Sequence, residues 1–236
     1  MQIVTIGNLK GGTGKSTFAV NLAVAAVEHG IRTVIIDLDP QQSAGKWADQ
    51  RPAEDPAVLS AQANRLQPAL REAERLAADL VVMDTAAHDS DILRAAIDAA
   101  NVVLIPCRPS GMELQHVLET AQLVAERRKP VSVILNAVPA RAHELDEASE
   151  FIERLKVPLA PLILSELRAY SRAVTAAQGV SEYEPHGKAA KEIVAVLAWL
   201  AEHMKIRVNR KAGKQERRKD GKSDKKKSEQ TDKRVA

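Results

Sequence analysis

The chain has 236 residues, 45% of them hydrophobic, and no run approaches the roughly 20 consecutive apolar residues of a membrane span, so one soluble domain with a sizeable core is expected. A single cysteine, Cys107, excludes internal disulfides and any zinc site closed by cysteine ligands. The net charge of +3 conceals two opposed parts: residues 1–204 hold 20 Lys/Arg against 26 Asp/Glu, a net −6, and residues 205–236 hold 14 against 5, a net +9.

In chain order, the first element is a short apolar, β-branched strand, Gln2-Ile3-Val4-Thr5-Ile6. The chain opens directly on this strand, so neither a signal peptide nor an upstream helix-turn-helix is expected, and the expected compartment is the cytoplasm. Next comes Lys10-Gly11-Gly12-Thr13-Gly14-Lys15-Ser16-Thr17, followed by an Ala-rich helical pattern over Phe18 to His29 that ends before Gly30. Strand, glycine-rich loop and helix form the context of a phosphate-binding loop. The glycines let successive backbone N–H groups turn inward around an anion, and the helix adds the positive end of its dipole. In that reading Lys15 reaches the β- and γ-phosphates, the Ser16 hydroxyl ligates Mg²⁺, and Thr17 adds a phosphate contact. Lys10 is a second lysine, five residues earlier than the expected one.

Further apolar runs follow at Thr33–Leu38, Leu80–Asp84, Val102–Pro106, Val131–Ala137 and Pro158–Leu164. Helical patterns are expected over Glu113–Arg128, Leu145–Leu155, Glu166–Ala177 and Gly187–Met204. Strands too apolar to have a wet face, alternating with helices, predict an α/β fold with a mostly parallel twisted sheet covered by helices on both faces. Ligands of such sheets sit beyond the carboxyl ends of the strands, where the runs end in Asp37, Asp39 and Asp84. Cys107 closes an apolar run and reads as a small buried residue. No internal repeat is visible. From Asn209 onward apolar residues almost vanish, so residues 205–236 read as a separate, basic and disordered tail.

Together, Lys10 and Lys15, Asp37-Leu38-Asp39-Pro40-Gln41 and Leu80-Val81-Val82-Met83-Asp84-Thr85 resemble the deviant Walker A, A′ and B motifs of the ParA/MinD family of P-loop ATPases, over Met1 to about Leu200. The resemblance implies a three-layer α/β/α P-loop NTPase that binds ATP and Mg²⁺ and hydrolyses ATP weakly alone. It places Lys10 across a nucleotide-sandwich homodimer, on the phosphates of the opposing subunit, where a cation would stabilise the transferring phosphoryl group. It assigns Asp39 to the attacking water, Asp37 to the water shell of Mg²⁺, Asp84 to the Walker B carboxylate and Asn136 to the adenine ring. Asp37 and Asp39 also suit a helix cap or a turn before Pro40, and Asn136 a strand-end turn. His88, in the switch segment Thr85–Ser90, reads as an exposed switch residue, and Pro106-Cys107-Arg108-Pro109-Ser110 as a structural element near the dimer interface.

The resemblance further implies that Arg168, Arg172, Lys188 and Lys191 line a surface that binds nucleoid DNA without sequence preference, helped by the +9 tail through counterion release. The implied function is that of a compact, ParA-like partition or positioning ATPase. Its dimer would hold DNA in the ATP state and let go when a ParB-like or other cargo adaptor stimulates hydrolysis. A membrane-bound MinD-like role needs a C-terminal amphipathic helix with bulky apolar residues, and the tail offers little beyond Ile206 and Val208. A cluster carrier would need more cysteines, whereas a small-molecule ATP-dependent enzyme of the same fold stays open. The cargo, whether plasmid, chromosome locus or carboxysome, is not written in these residues.

Overall fold

The computed structural model describes residues 1–87, 89–140 and 143–206. Seven parallel strands form one sheet: β1 (Gln2–Ile6), β2 (Thr33–Asp37), β3 (Ala57–Ser60), β4 (Leu80–Asp84), β5 (Val102–Cys107), β6 (Val131–Val138) and β7 (Leu159–Ser165). Their order is β3-β2-β4-β1-β5-β6-β7. β1 therefore lies centrally, and the chain winds away from it toward both edges. The central strands β2, β4 and β5 are buried along their whole length, while the edge strand β3 is half exposed. This explains why every strand was legible except β3, whose four residues carry too little apolar signal.

Nine helices among the described residues complete the layers: α1 (Lys15–Glu28), α2 (Ser43–Asp49), α3 (Leu66–Arg75), α4 (Ser90–Ala99), α5 (Gly111–Glu126), α6 (His143–Arg154), α7 (Arg168–Thr175), α8 (Val180–Tyr183) and α9 (Lys188–Met204). Alternate residues of each strand enter opposite cores, as the two-residue strand period requires. Val4, Ile6, Ile35 and Leu104 pack with α1, Trp47 of α2, Ala173 of α7 and α9, whereas Ile36, Met83, Val103 and Ile105 pack with α3 to α6. The result is the expected three-layer α/β/α arrangement. α1 is buried almost all round from Phe18 to Ala26, and its small residues let it lie close against the sheet.

Helices α2, α3, α4 and α8 lay outside the sequence-predicted set; α2 and α8 are short, with seven and four residues, and α3 is rich in charge. The helix expected over Glu166–Ala177 begins only at Arg168, because Leu167 is extended, and the short α8 follows separately. β6 runs two residues past Asn136, so this residue sits inside the strand and not after it. A bulge disturbs the β6–β7 register there, with Ala137 in the left-handed region at φ 51°.

Candidate nucleotide-binding site

The loop between β1 and α1 is shaped by glycines at the two positions where the backbone enters the left-handed region, Gly12 at φ 79° and Gly14 at φ 86°. Gly14 is also pressed from outside, since a Cβ there would lie 2.6 Å from the Asn136 amide nitrogen. The loop is anchored from below by Asn8, fully buried, whose side chain accepts the Lys10 N–H (2.9 Å) and donates to the Pro106 carbonyl (2.9 Å). The buried Thr120 hydroxyl accepts the Leu9 N–H at 3.3 Å. Neither anchor was expected from the sequence: Asn8 carries no spacing signal of its own, and Thr120 lies more than a hundred residues away.

Lys15 is 6% exposed, and its ammonium donates to the Lys10 carbonyl at 3.1 Å. Burial holds its pKa below the ordinary lysine value, while the negative charges of Asp84 and Asp39 draw it back up. Lys10 itself is half-buried, and its backbone is tied to Lys15 on one side and Asn8 on the other.

The three carboxylates lie at the ends of two neighbouring strands, Asp37 closing β2, Asp84 closing β4 and Asp39 two residues past β2, and they differ in their surroundings. Asp37 accepts the Asp39 N–H on one oxygen (3.0 Å) and the Ala44 and Gly45 N–H groups on the other (3.0 Å each). Burial raises its pKa, and these backbone donors pull it down. It thus caps the first turn of α2, the alternative that the residue type also allowed, with little acceptor capacity left over. Asp39 is partly exposed and accepts the Gln41 N–H at 2.9 Å.

Asp84 is the opposite case. It is fully buried, and neither oxygen has a hydrogen-bond partner among the described residues. Burial pushes its pKa up to about 7; the Ser16 hydroxyl, near enough to favour the charged form without a hydrogen bond of good geometry, and Lys15 oppose this, and Asp37 and Asp39 add to it. A buried carboxylate left without donors is costly unless a cation completes it. With the Ser16 hydroxyl beside it, Asp84 fits a Mg²⁺ ion and its water shell. The buried Thr13 hydroxyl likewise has no partner among the described residues.

Behind the loop lies a cleft of about 560 Å³, lined among others by Gly14, Phe18, Asn136, Leu164, Arg168 and Tyr170. Its size suits a nucleoside. The Asn136 amide donates to the Thr13 carbonyl at 2.6 Å, so the residue expected on the base also braces the phosphate loop.

A family model described as the CobQ/CobB/MinD/ParA nucleotide binding domain matches residues 4–180. The chain belongs to this family. The "Maintenance of carboxysome distribution protein A" of Gloeobacter kilaueensis is 34% identical over 207 residues, covering 86% of this chain and 94% of that protein. Two solved structures share the fold at lower identity. The McdA–ATP complex of Cyanothece is 16% identical, covers 88% of this chain and 97% of its own, and superimposes with a TM-score of 0.69. A cobyrinic acid a,c-diamide synthase of Mycobacterium smegmatis, solved with an ATP analogue and magnesium, is 16% identical over 87% of this chain and 96% of its own, with a TM-score of 0.71. Nearly equal scores for a distribution protein and a synthase mean that the fold alone does not choose between them.

In this CobQ/CobB/MinD/ParA member the four basic residues expected on a DNA-binding surface, on α7 and α9, are all exposed or partly exposed. Arg168 and Arg172 share one face of α7, and Lys188 and Lys191 open α9, with the Lys188 ammonium 3.7 Å from Glu192. The two pairs are drawn together by Tyr170, whose hydroxyl lies 3.2 Å from both the Ala189 carbonyl and Glu192. Glu192 also accepts the N–H (3.0 Å) and hydroxyl (2.7 Å) of Ser165, which fixes the start of α9 to the end of β7. Arg168 has a second neighbourhood, because it also lines the cleft behind the phosphate loop. His88 and residues 207–236, which include nearly all of the basic tail, lie outside the described residues.

Proposed function

We propose that this chain is an ATP-driven positioning ATPase of the ParA type. Mg²⁺–ATP occupies the loop Lys10–Thr17, with Lys15 on the phosphates, Ser16 and Asp84 toward the metal and Asp39 toward the attacking water. Lys10 reaches the nucleotide of a second copy, so that hydrolysis depends on dimerisation. The ATP-bound dimer holds nucleoid DNA through Arg168, Arg172, Lys188 and Lys191, aided by the basic tail. A cargo-bound adaptor stimulates hydrolysis and releases it.

The observation that carries this reading is the loop itself: a second lysine, Lys10, whose carbonyl receives the ammonium of the buried Lys15, near Asp84, whose oxygens have no hydrogen-bond partner among the described residues. The 34% identity to a carboxysome distribution protein over nearly the full length supports positioning over small-molecule synthesis. No helix among the described residues is long and apolar enough to cross a membrane.

The test is Asp39→Ala in the presence of Mg²⁺ and ATP. The variant is expected to accumulate as a dimer retained on duplex DNA, measured by size-exclusion light scattering and by anisotropy of labelled DNA. A variant that binds ATP yet stays monomeric and ignores DNA would sink the sandwich mechanism.

A further inference from the structure

Helix α2 connects the segment carrying Asp39 to the segment between α7 and α9. At its start, Asp37 fixes the Ala44 and Gly45 N–H groups to the end of β2, and Gln42 turns the chain between Asp39 and α2 at φ 51°, a strained value for a side-chain-bearing residue. At its other end Trp47, 4% exposed, donates from Nε1 to the Gln178 carbonyl at 3.4 Å. Arg51 follows two residues after the helix. Its side chain is 5% exposed, its guanidinium lies 4.9 Å over the Trp47 ring, and both terminal nitrogens engage the Glu182 carboxylate. Arg51 also donates to the carbonyls of Ala177 (3.2 Å) and Asp55 (3.0 Å), and Glu182 accepts the Gly179 N–H (2.8 Å).

The same segment is held from the side of the phosphate loop. Asn21 of α1 donates to the Thr17 carbonyl (2.7 Å) and accepts the Val180 N–H (2.6 Å), and Val24 occupies the space that a Cβ on Gly179 would need, 2.5 Å away. Residues 177–182 are thus gripped twice, by the helix behind the phosphate loop and by the helix behind Asp39. They begin two residues after α7, which carries Arg168 and Arg172, and are followed by α9 with Lys188 and Lys191.

A buried, forked Arg–carboxylate pair contributes little net stability, because desolvation offsets its attraction; what it supplies is fixed geometry. We propose that α2 and the Arg51–Glu182 pair form a transmission arm that carries the nucleotide state, sensed at Asp39, to residues 177–182 and the basic faces of α7 and α9. A ligand shifts an equilibrium only through a differential interaction, and the γ-phosphate of the nucleotide proposed above would provide one next to Asp39, whose carbonyl accepts the Gln42 N–H at 2.8 Å where the chain enters α2. Breaking the pair should leave both ends intact and uncouple them. The arm rests on the nucleotide site proposed above, and the identity of what the surface binds rests on the DNA part of that proposal.

The experiment uses the full-length protein with Mg²⁺ and either a non-hydrolysable ATP analogue or ADP, in the wild type, Glu182→Gln and Arg51→Lys, with folding checked by circular dichroism. Amide hydrogen exchange across residues 177–183 and nucleotide affinity are read in parallel. Wild-type exchange is expected to differ on the order of fivefold or more between the two nucleotides. Both variants should keep nucleotide affinity within about threefold while that difference disappears. Equal exchange with both nucleotides in the wild type overturns the arm, as does a full difference in either folded variant. Retention on duplex DNA is measured alongside. If the wild type with the ATP analogue ignores DNA, the proposed function fails, and the exchange comparison still decides the arm.

Discussion

The nucleotide end of the molecule and the α7–α9 face are built on opposite terms. Around the phosphate loop the charged groups are buried and incomplete: Asp84 has no hydrogen-bond partner among the described residues, and burial lowers the Lys15 pKa. On the α7–α9 face the basic residues reach solvent, and the polar groups beneath them are satisfied through Glu192 and Tyr170. A site that waits for a small, highly charged ligand announces itself by what it lacks. The surface proposed for a long, uniformly charged partner would need to lack nothing, because its effect would be a sum of individually weak interactions.

Four measurements, of descending effect, test that contrast. Lys15→Gln should reduce nucleotide affinity on the order of a hundredfold or more, since it removes the buried cation proposed to hold the phosphates; titration calorimetry showing unchanged affinity would mean that the site lies elsewhere. Asp84→Asn should abolish Mg²⁺-dependent turnover and yet stabilise the nucleotide-free protein at pH 8 by a few kcal/mol. The sign follows from a carboxyl whose folded pKa is about 7 against 3.8 for the free group: its favourable contribution is complete below about pH 4 and is lost as pH rises through about 7. Denaturant melts of the wild type should therefore weaken over that window, and those of Asp84→Asn should weaken less.

Gly179→Ala drives a methyl group into Val24 and should cost about 1–3 kcal/mol of stability, read from the denaturation midpoint. The smallest effects belong to the exposed face. Alanine at Arg168, Arg172, Lys188 or Lys191 should weaken duplex binding only a few-fold each and lower the salt slope by roughly one for every phosphate left without its cation. Removing residues 209–236 should flatten the same slope further. Unchanged slopes for all five variants would return that face to ordinary solvated charge.

The same contrast governs how much the sequence discloses. The phosphate loop, Asp84 and six strands are legible because glycine, lysine and carboxylate at fixed spacing, or an unbroken apolar run, leave few alternatives. Asn8 and Thr120 are not, because an anchoring hydrogen bond over about a hundred residues has no local pattern. Asp37 shows the limit of a motif: the type and position suit a metal shell, and only the three N–H groups around it reveal that it is also the cap of a helix without a legible periodicity. The seven residues of α2 carry no legible periodicity, although its Trp47 and the following Arg51 tie two distant parts of the chain together. Their partners, Gln178 and Glu182, gave no sign in the sequence of facing them.

Only two tryptophans occur in the chain, Trp47 and Trp199. Trp47 lies under the Arg51 guanidinium, and Trp199 lies on α9 with its ring 4.5 Å from that of His203. A cationic group stacked on an indole alters its emission, so the packing of Arg51 makes Trp47 an intrinsic optical probe of the region it holds. In a Trp199→Phe background the protein would carry a single tryptophan fluorophore at that spot, and each turnover could be followed by light without attaching a dye.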